Sequence, residues 1–263
     1  MEFQRIIYKK DGAVATLQLN RPRALNALDE ATIEEIREAL ARATADSEVK
    51  VLLLTGSGRA FCFGADVSEF QKCRERGGLA SLEILLSKAQ EVIRVLFEMP
   101  KPTLAVLNGF ASGLGLDLAL ACDLRIAGER VKLSEAFVSM GLVPDGGGTF
   151  LLPRLVGLAR AAELIFTGVP IAASEAERIG LINRVVPSLE LEEVARQLAL
   201  KLAGGPALAI SLAKQALRKN LRADFNEALR VEADFQKLCF ASADHQEAVR
   251  SFLERRDPVF AGR

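Results

Sequence analysis

The sequence predicts an α/β fold with a helical C-terminal region, on three observations. Short apolar runs such as VLLLT (51–55) and TLAVL (103–107) are bounded by glycine or proline and have the length of buried strands. Between them lie longer stretches with helical periodicity, 79–99 the longest. Beyond about residue 188 only helical periodicity remains. Residues 1–195 are therefore expected to form the α/β core, and 196–263 a helical C-terminal region.

In chain order, apolar runs 3–8 and 13–19 flank Asp11-Gly12 and read as a hairpin. Asp29 opens a helix carrying Ile33, Ile36 and Leu40 on one face. The strand at 51–55 breaks at Gly56 and Gly58, and the helix at 79–99 ends before Pro100 and Pro102. The strand at 103–107 leads into a glycine-punctuated helix over 112–121. Segments 206–220, 223–240 and 244–256 complete the helical end.

Composition narrows the chemistry. Lys plus Arg and Asp plus Glu both number 34, so the formal net charge is zero. A nucleic-acid-binding stripe would leave a basic excess, so no nucleic acid partner is expected. No run of about 18 apolar residues is present to span a membrane. The opening MEFQRIIYKKDG lacks the apolar heart of a signal peptide, so the expected compartment is the cytoplasm. Cys62, Cys73, Cys122 and Cys239 have no metal-ligand spacing, and no metal or cofactor is expected. The single histidine, His245, sits on a predicted amphipathic helix; a Ser-His-Asp triad or Cys-His pair has almost nothing to be built from. Acid–base work must fall to carboxylates, Lys, Tyr8 or Cys.

GSGRAF after the strand at 51–55 is an incomplete dinucleotide fingerprint, with Phe61 where the third glycine belongs, and is rejected as one. FCFGADVSEF (61–70) and NGFASGLGLDLALACD (108–123) carry more. Each places small residues where a strand ends and a helix can begin, which turns unpaired backbone N–H groups toward one point. Two such donors can hold the negative oxygen that develops on a thioester carbonyl. On composition alone, tight turns explain the glycines equally well.

These segments resemble the crotonase superfamily, the enoyl-CoA hydratases and isomerases. NRPRALNALD (20–29), VLLLTGSGRAFCFGAD, NGFASGLGLDLALACD, GLVPDGGGTFLLPRLVG (141–157) and the closing FLERRDPVFAGR carry the likeness over nearly the whole chain. The resemblance implies a spiral of ββα units, an acyl-coenzyme A substrate with no separate cofactor, and assembly as a homotrimer or hexamer. It implies backbone oxyanion donors at Ala65 and Leu114, where the family usually has glycine at the second. It also implies that Arg23, Ala24 and Leu25, with Gly64, Asp66 and Val67, line the coenzyme A channel.

The departures from the family pattern bear on the reaction. Family hydratases hold their water between two glutamates. The first position is Asp117 here, one methylene shorter; the second is Phe137, and Glu135 stands two places out of register. The second glutamate therefore reads as absent. Asp145, in GLVPDGGG, occupies a position where double-bond isomerases of the family carry an aspartate. The phenylacetate-pathway ring-isomerising branch shares this stretch. The expected function is thus an enoyl-CoA isomerase or hydratase, isomerisation leading, with Asp117 as base and Asp145 returning the proton. The alternatives are hydration by Asp117 alone, an acyl-CoA hydrolase, and a non-catalytic coenzyme A-binding scaffold. The family's tryptophan-dependent dehalogenases are excluded, because the chain has no tryptophan.

Overall fold

A computed structural model describes residues 3–262. Met1, Glu2 and Arg263, the outer ends of the two expected regions, lie outside the described residues. The predicted hairpin is β1 (Ile6–Asp11) and β2 (Val14–Leu19), antiparallel about Asp11-Gly12. Asp29 caps α1 (Glu30–Ala45), its carboxylate accepting the Thr32 N–H at 2.8 Å, and Ile33, Ile36 and Leu40 face the core.

The next part of the chain repeats one unit three times. β3 (Val51–Gly56) and β4 (Ala60–Cys62) precede α2 (Val67–Arg76) and α3 (Leu79–Glu98). β5 (Thr103–Leu107) and β6 (Phe110–Ser112) precede α4 (Leu114–Ala121). β7 (Leu124–Gly128) and β8 (Lys132–Ser134) precede a 3-10 turn (Ala136–Met140) and α5 (Gly148–Val156). The first strand of each unit enters a six-stranded sheet and the second a four-stranded one. In the small sheet β4, β6 and β8 run parallel side by side, with Ser112 opposite Ser134, so their C-terminal ends lie along one edge. This is the expected spiral of ββα units.

The remainder is α6 (Leu158–Thr167), β9 (Ile171–Ala172), α7 (Ala173–Arg178), β10 (Arg184–Val186) and α8 (Leu191–Ala203). β9 and β10 complete the order β4-β6-β8-β9 and the order β1-β2-β3-β5-β7-β10. α8 runs through residue 195 and buries Leu191, Ala195 and Ala199 on one face of the large sheet. The main core, including Ile36, Leu54, Phe61, Leu107 and Leu118, fills the other side.

Three further helices follow, α9 (Ala207–Asn220), α10 (Phe225–Phe240) and α11 (Ala243–Glu254). Their expected boundaries differ from these by one or two residues. One polar contact pins α9 to the core. Asp123, just before β7, accepts Thr103 N–H at 2.8 Å and Lys214 Nζ at 2.7 Å through one oxygen, and Arg218 at 2.9 Å through the other. Lys214 is buried, and the Arg218 guanidinium lies 3.8 Å over the Phe97 ring. Asp123→Ala leaves the Lys214 cation buried without its partner, and urea unfolding should register a loss of about 3 kcal/mol.

Candidate active site

The site lies at the C-terminal edge of the small sheet, where each of its three parallel strands delivers one component. After β4 the chain makes a single parallel bridge to Leu28. Leu28 N–H donates to the Gly64 carbonyl at 2.8 Å, and Asp66 N–H donates to the Leu28 carbonyl at 2.9 Å. In that pattern Ala65 turns its own N–H away from Leu28. Gly64 has φ +98°, and a Cβ there would lie 2.8 Å from the Ser112 carbonyl oxygen and 3.6 Å from the Leu114 nitrogen. The two expected donor segments are thus in contact across the β4–β6 edge.

Leu114 is the first residue of α4, where an N–H has no intrahelical acceptor. Every residue of α4 is buried, so this N–H is withdrawn from bulk water. The Leu114 side chain is also buried and reaches the loop after Pro144; a Cβ at Gly146 would meet its Cδ1 at 2.6 Å. The Phe137 ring packs beside Gly113, 3.7 Å from where a Cβ would stand, and forms an apolar wall next to the donor pair.

The expected channel residues lie on the other side of Ala65. Leu25, at φ 52°, accepts the Phe63 N–H at 3.1 Å and so joins the turn of Arg23 and Ala24 to the donor segment. Arg23 and Val67 are exposed. Asp66 caps α2 by accepting Ser68 N–H at 3.1 Å and pairs with Arg21 at 3.0 Å, so its carboxylate holds the loop in shape. Arg21 was not singled out from the sequence. It also pairs with Asp29 at 3.1 Å, linking the 3-10 turn Pro22–Ala24 to both flanking caps.

Three carboxyl groups meet beside the donors. Asp117, in the first turn of α4, is 0% exposed, and its Oδ2 accepts the Gly146 N–H at 3.1 Å. Asp145, the neighbour of Gly146, is half-buried, and its backbone carbonyl accepts a bond from Gln90 of α3 at 3.0 Å. Glu135, directly after β8, is 1% exposed. A Cβ at Gly148 would lie 2.6 Å from Asp117 Oδ1 and 3.1 Å from Glu135 Oε1, so both oxygens converge on one point. Burial raises the pKa of Asp117 and of Glu135 far above the carboxylate range, and repulsion from the neighbouring acids adds to it. Burial also raises Asp145. No Lys or Arg pairs with any of the three among the described residues.

The structure brings together Ala65, Leu114, Asp117 and Asp145 as the sequence led us to expect. It adds Glu135, which the reading in register with Phe137 had set aside. The available signal was its place: a glutamate directly following a short strand that precedes a buried turn. His245 lies on α11, its ring 5.1 Å from the Phe240 ring. No group of three or more His, Cys, Asp or Glu side chains is arranged to hold a metal among the described residues.

Gly64→Ala tests how closely β4 and β6 must approach. A side chain there combines an unfavourable positive φ with a 2.8 Å approach to a backbone carbonyl. Thermal unfolding should show destabilisation of about 1–3 kcal/mol.

Comparison with known proteins agrees with this geometry. A family model described as enoyl-CoA hydratase/isomerase matches residues 9–263. The chain is 39% identical to a crotonyl-CoA hydratase of Syntrophomonas wolfei, over 99% of both chains. It is 38% identical to a 1,2-epoxyphenylacetyl-CoA isomerase of Escherichia coli, over 100% of both. Among solved structures, a putative enoyl-CoA hydratase from Streptomyces coelicolor superimposes with a TM-score of 0.95 at 37% identity, covering 100% of this chain and 96% of that one. Full-length likeness of sequence and fold, with backbone donors and acids converging at one sheet edge, makes this chain a member of the enoyl-CoA hydratase/isomerase family.

Proposed function

We propose that the protein moves a carbon–carbon double bond along the acyl chain of an enoyl-CoA thioester. The observation that carries this reading is the pairing of Asp117 and Asp145 beside the donor segments, with the Phe137 ring where a second glutamate would stand. The backbone N–H groups of Ala65 and Leu114 take the thioester oxygen. As a proton leaves the carbon next to the carbonyl, negative charge grows on that oxygen, and each donor contributes roughly 10²–10³ in rate.

The ionisation order supports a division of labour opposite to the one expected from sequence. Three carboxyls without a cation cannot all be charged, and the half-buried Asp145 loses its proton at least cost. Asp145 is then the base that removes the proton. Asp117, whose raised pKa keeps it protonated near neutrality, returns a proton further along the chain. Coenzyme A lies along the turn at Arg23, Ala24 and Leu25 and the stretch Gly64, Asp66 and Val67.

Hydration is the second reading, favoured by Glu135, a second carboxyl beside Asp117. Hydrolysis and a non-catalytic scaffold have less support, because neither calls for several buried acids around one oxyanion site. Assembly as a homotrimer or hexamer is part of the same proposal. α10 buries no residue within one chain, and Phe225, Phe240, Phe252 and Leu253 are exposed on α10 and α11.

The test offers a β,γ-unsaturated acyl-CoA in deuterated buffer and follows conjugation and water addition by absorbance and NMR. Migration should outpace hydration. Asp145→Asn and Asp117→Asn should each lower turnover on the order of 10²-fold or more with little change in KM. Hydration faster than migration and untouched by Asp145→Asn would favour the second reading. Sedimentation at micromolar concentration should give three or six times the mass of one chain.

A further inference from the structure

Glu135 is a buried acid for which the proposed reaction has no use so far. Both of its carboxyl oxygens lack a hydrogen-bond partner, whereas Asp117 Oδ1 has only the neighbouring Gly148 backbone N–H, outside good hydrogen-bond geometry. A buried polar group ordinarily finds a partner, and an ionised one without a cation would be costly. One oxygen of each side chain, Asp117 Oδ1 and Glu135 Oε1, borders the same space beside Gly148.

The fold holds them there. β8 pairs with β6 so that Ser134 stands opposite Ser112, and Gly113 N–H donates to the Ser134 carbonyl at 2.9 Å. Glu135, next after Ser134, is thus tied to the strand end that presents Leu114. Ser134 is itself held by its hydroxyl, which donates to the Gly168 carbonyl at 2.7 Å. The charged groups acting on Glu135 are Asp117 from α4 and Asp145 from the loop before α5.

We propose that Glu135 is a positioning residue that keeps a proton available to Asp117, the two carboxyls exchanging it through one shared water. This rests on the isomerase reading above and deepens it. In the cycle, a C–H bond next to the thioester carbonyl breaks and its proton goes to the Asp145 carboxylate. The Asp117 O–H bond breaks as a new C–H bond forms further along the acyl chain. The Glu135 proton then passes to the Asp117 carboxylate, and the proton held by Asp145 restores Glu135. No proton is gained or lost over the turn, and no oxidant or reductant takes part.

The residue change that tests this is Glu135→Gln, which keeps shape and removes the exchangeable acid proton. Infrared spectra of the full-length enzyme at neutral pH should show absorption from protonated buried carboxyls, and the variant should lose part of it. That measurement needs no substrate, so it stands whether or not double-bond migration proves to be the reaction. Turnover in Glu135→Gln should fall about tenfold or more with KM nearly unchanged. The pH profile supplies a third readout. The protonated pair is the active form and its pKa is raised, so wild-type activity is lost as pH rises through that value, while the separate loss at acid pH belongs to Asp145 taking up a proton. With one acid of the pair removed, the alkaline loss should be less steep and displaced. Glu135→Asp retains an acid and should recover part of the turnover. An infrared difference showing no protonated carboxyl at Glu135 would overturn the proposal. So would a well-folded Glu135→Gln variant with unaltered turnover and pH profile, which would leave Glu135 a packing residue.

Discussion

Everything at the site depends on burying a charged-residue type in a helix that has no solvent face. α4 is lined on all sides by protein, and Asp117 is its only ionisable side chain. The dipole at a helix N-terminus favours an anion there, and so does the Gly146 N–H. Burial opposes both, and repulsion from Asp145 adds to it. Burial wins, and the carboxyl's pKa is pushed up to about 8. On the proposed reading, a neutral acid next to two backbone donors supplies protons without competing for the oxygen that those donors bind.

The same burial constrains the backbone around the carboxyl. Glycine stands at 146 and 148 because a Cβ at either place would come within 2.7 Å of the Asp117 side chain. Those glycines let the loop carrying Asp145 fold down onto α4, and the Gly146 N–H then holds it there. Phe137 walls the same space from the 3-10 turn, its ring packed beside Gly113. Apolar wall, buried acid and glycine loop thus form one unit. Raising a carboxyl pKa, admitting a flat thioester and limiting stray water are consequences of the same close packing.

Periodicity made the scaffold legible in the sequence. The helix at 79–99 and the strands at 51–55 and 103–107 carry patterns whose length and flanking Gly or Pro decide between helix and strand, and the structure places them within a residue or two. The donor segments were legible through their resemblance to the family, since small residues at a strand-to-helix junction serve tight turns equally well. Asp117 and Asp145 could be named because each follows a motif by a short, ungapped count. Arg21 could not, since an arginine before a proline carries no signal of the two caps it joins.

Glu135 marks the boundary between the two kinds of information. By itself the sequence determined the strand and helix order, through local propensity, and contiguous motifs resembling the family pointed to the donor segments and two of the acids. Residue counting placed Glu135 two positions from where a partner of Asp117 was sought, and it was set aside. Only the tertiary structure decided otherwise, because what a side chain faces is set by strand pairing rather than by distance along the chain. Ser134 lies opposite Ser112, and that pairing carries the next residue to the edge where Asp117 is buried. The protonation of these acids was equally out of reach: it follows from how much water is excluded and which charges are near, quantities that exist only once the chain has closed around them.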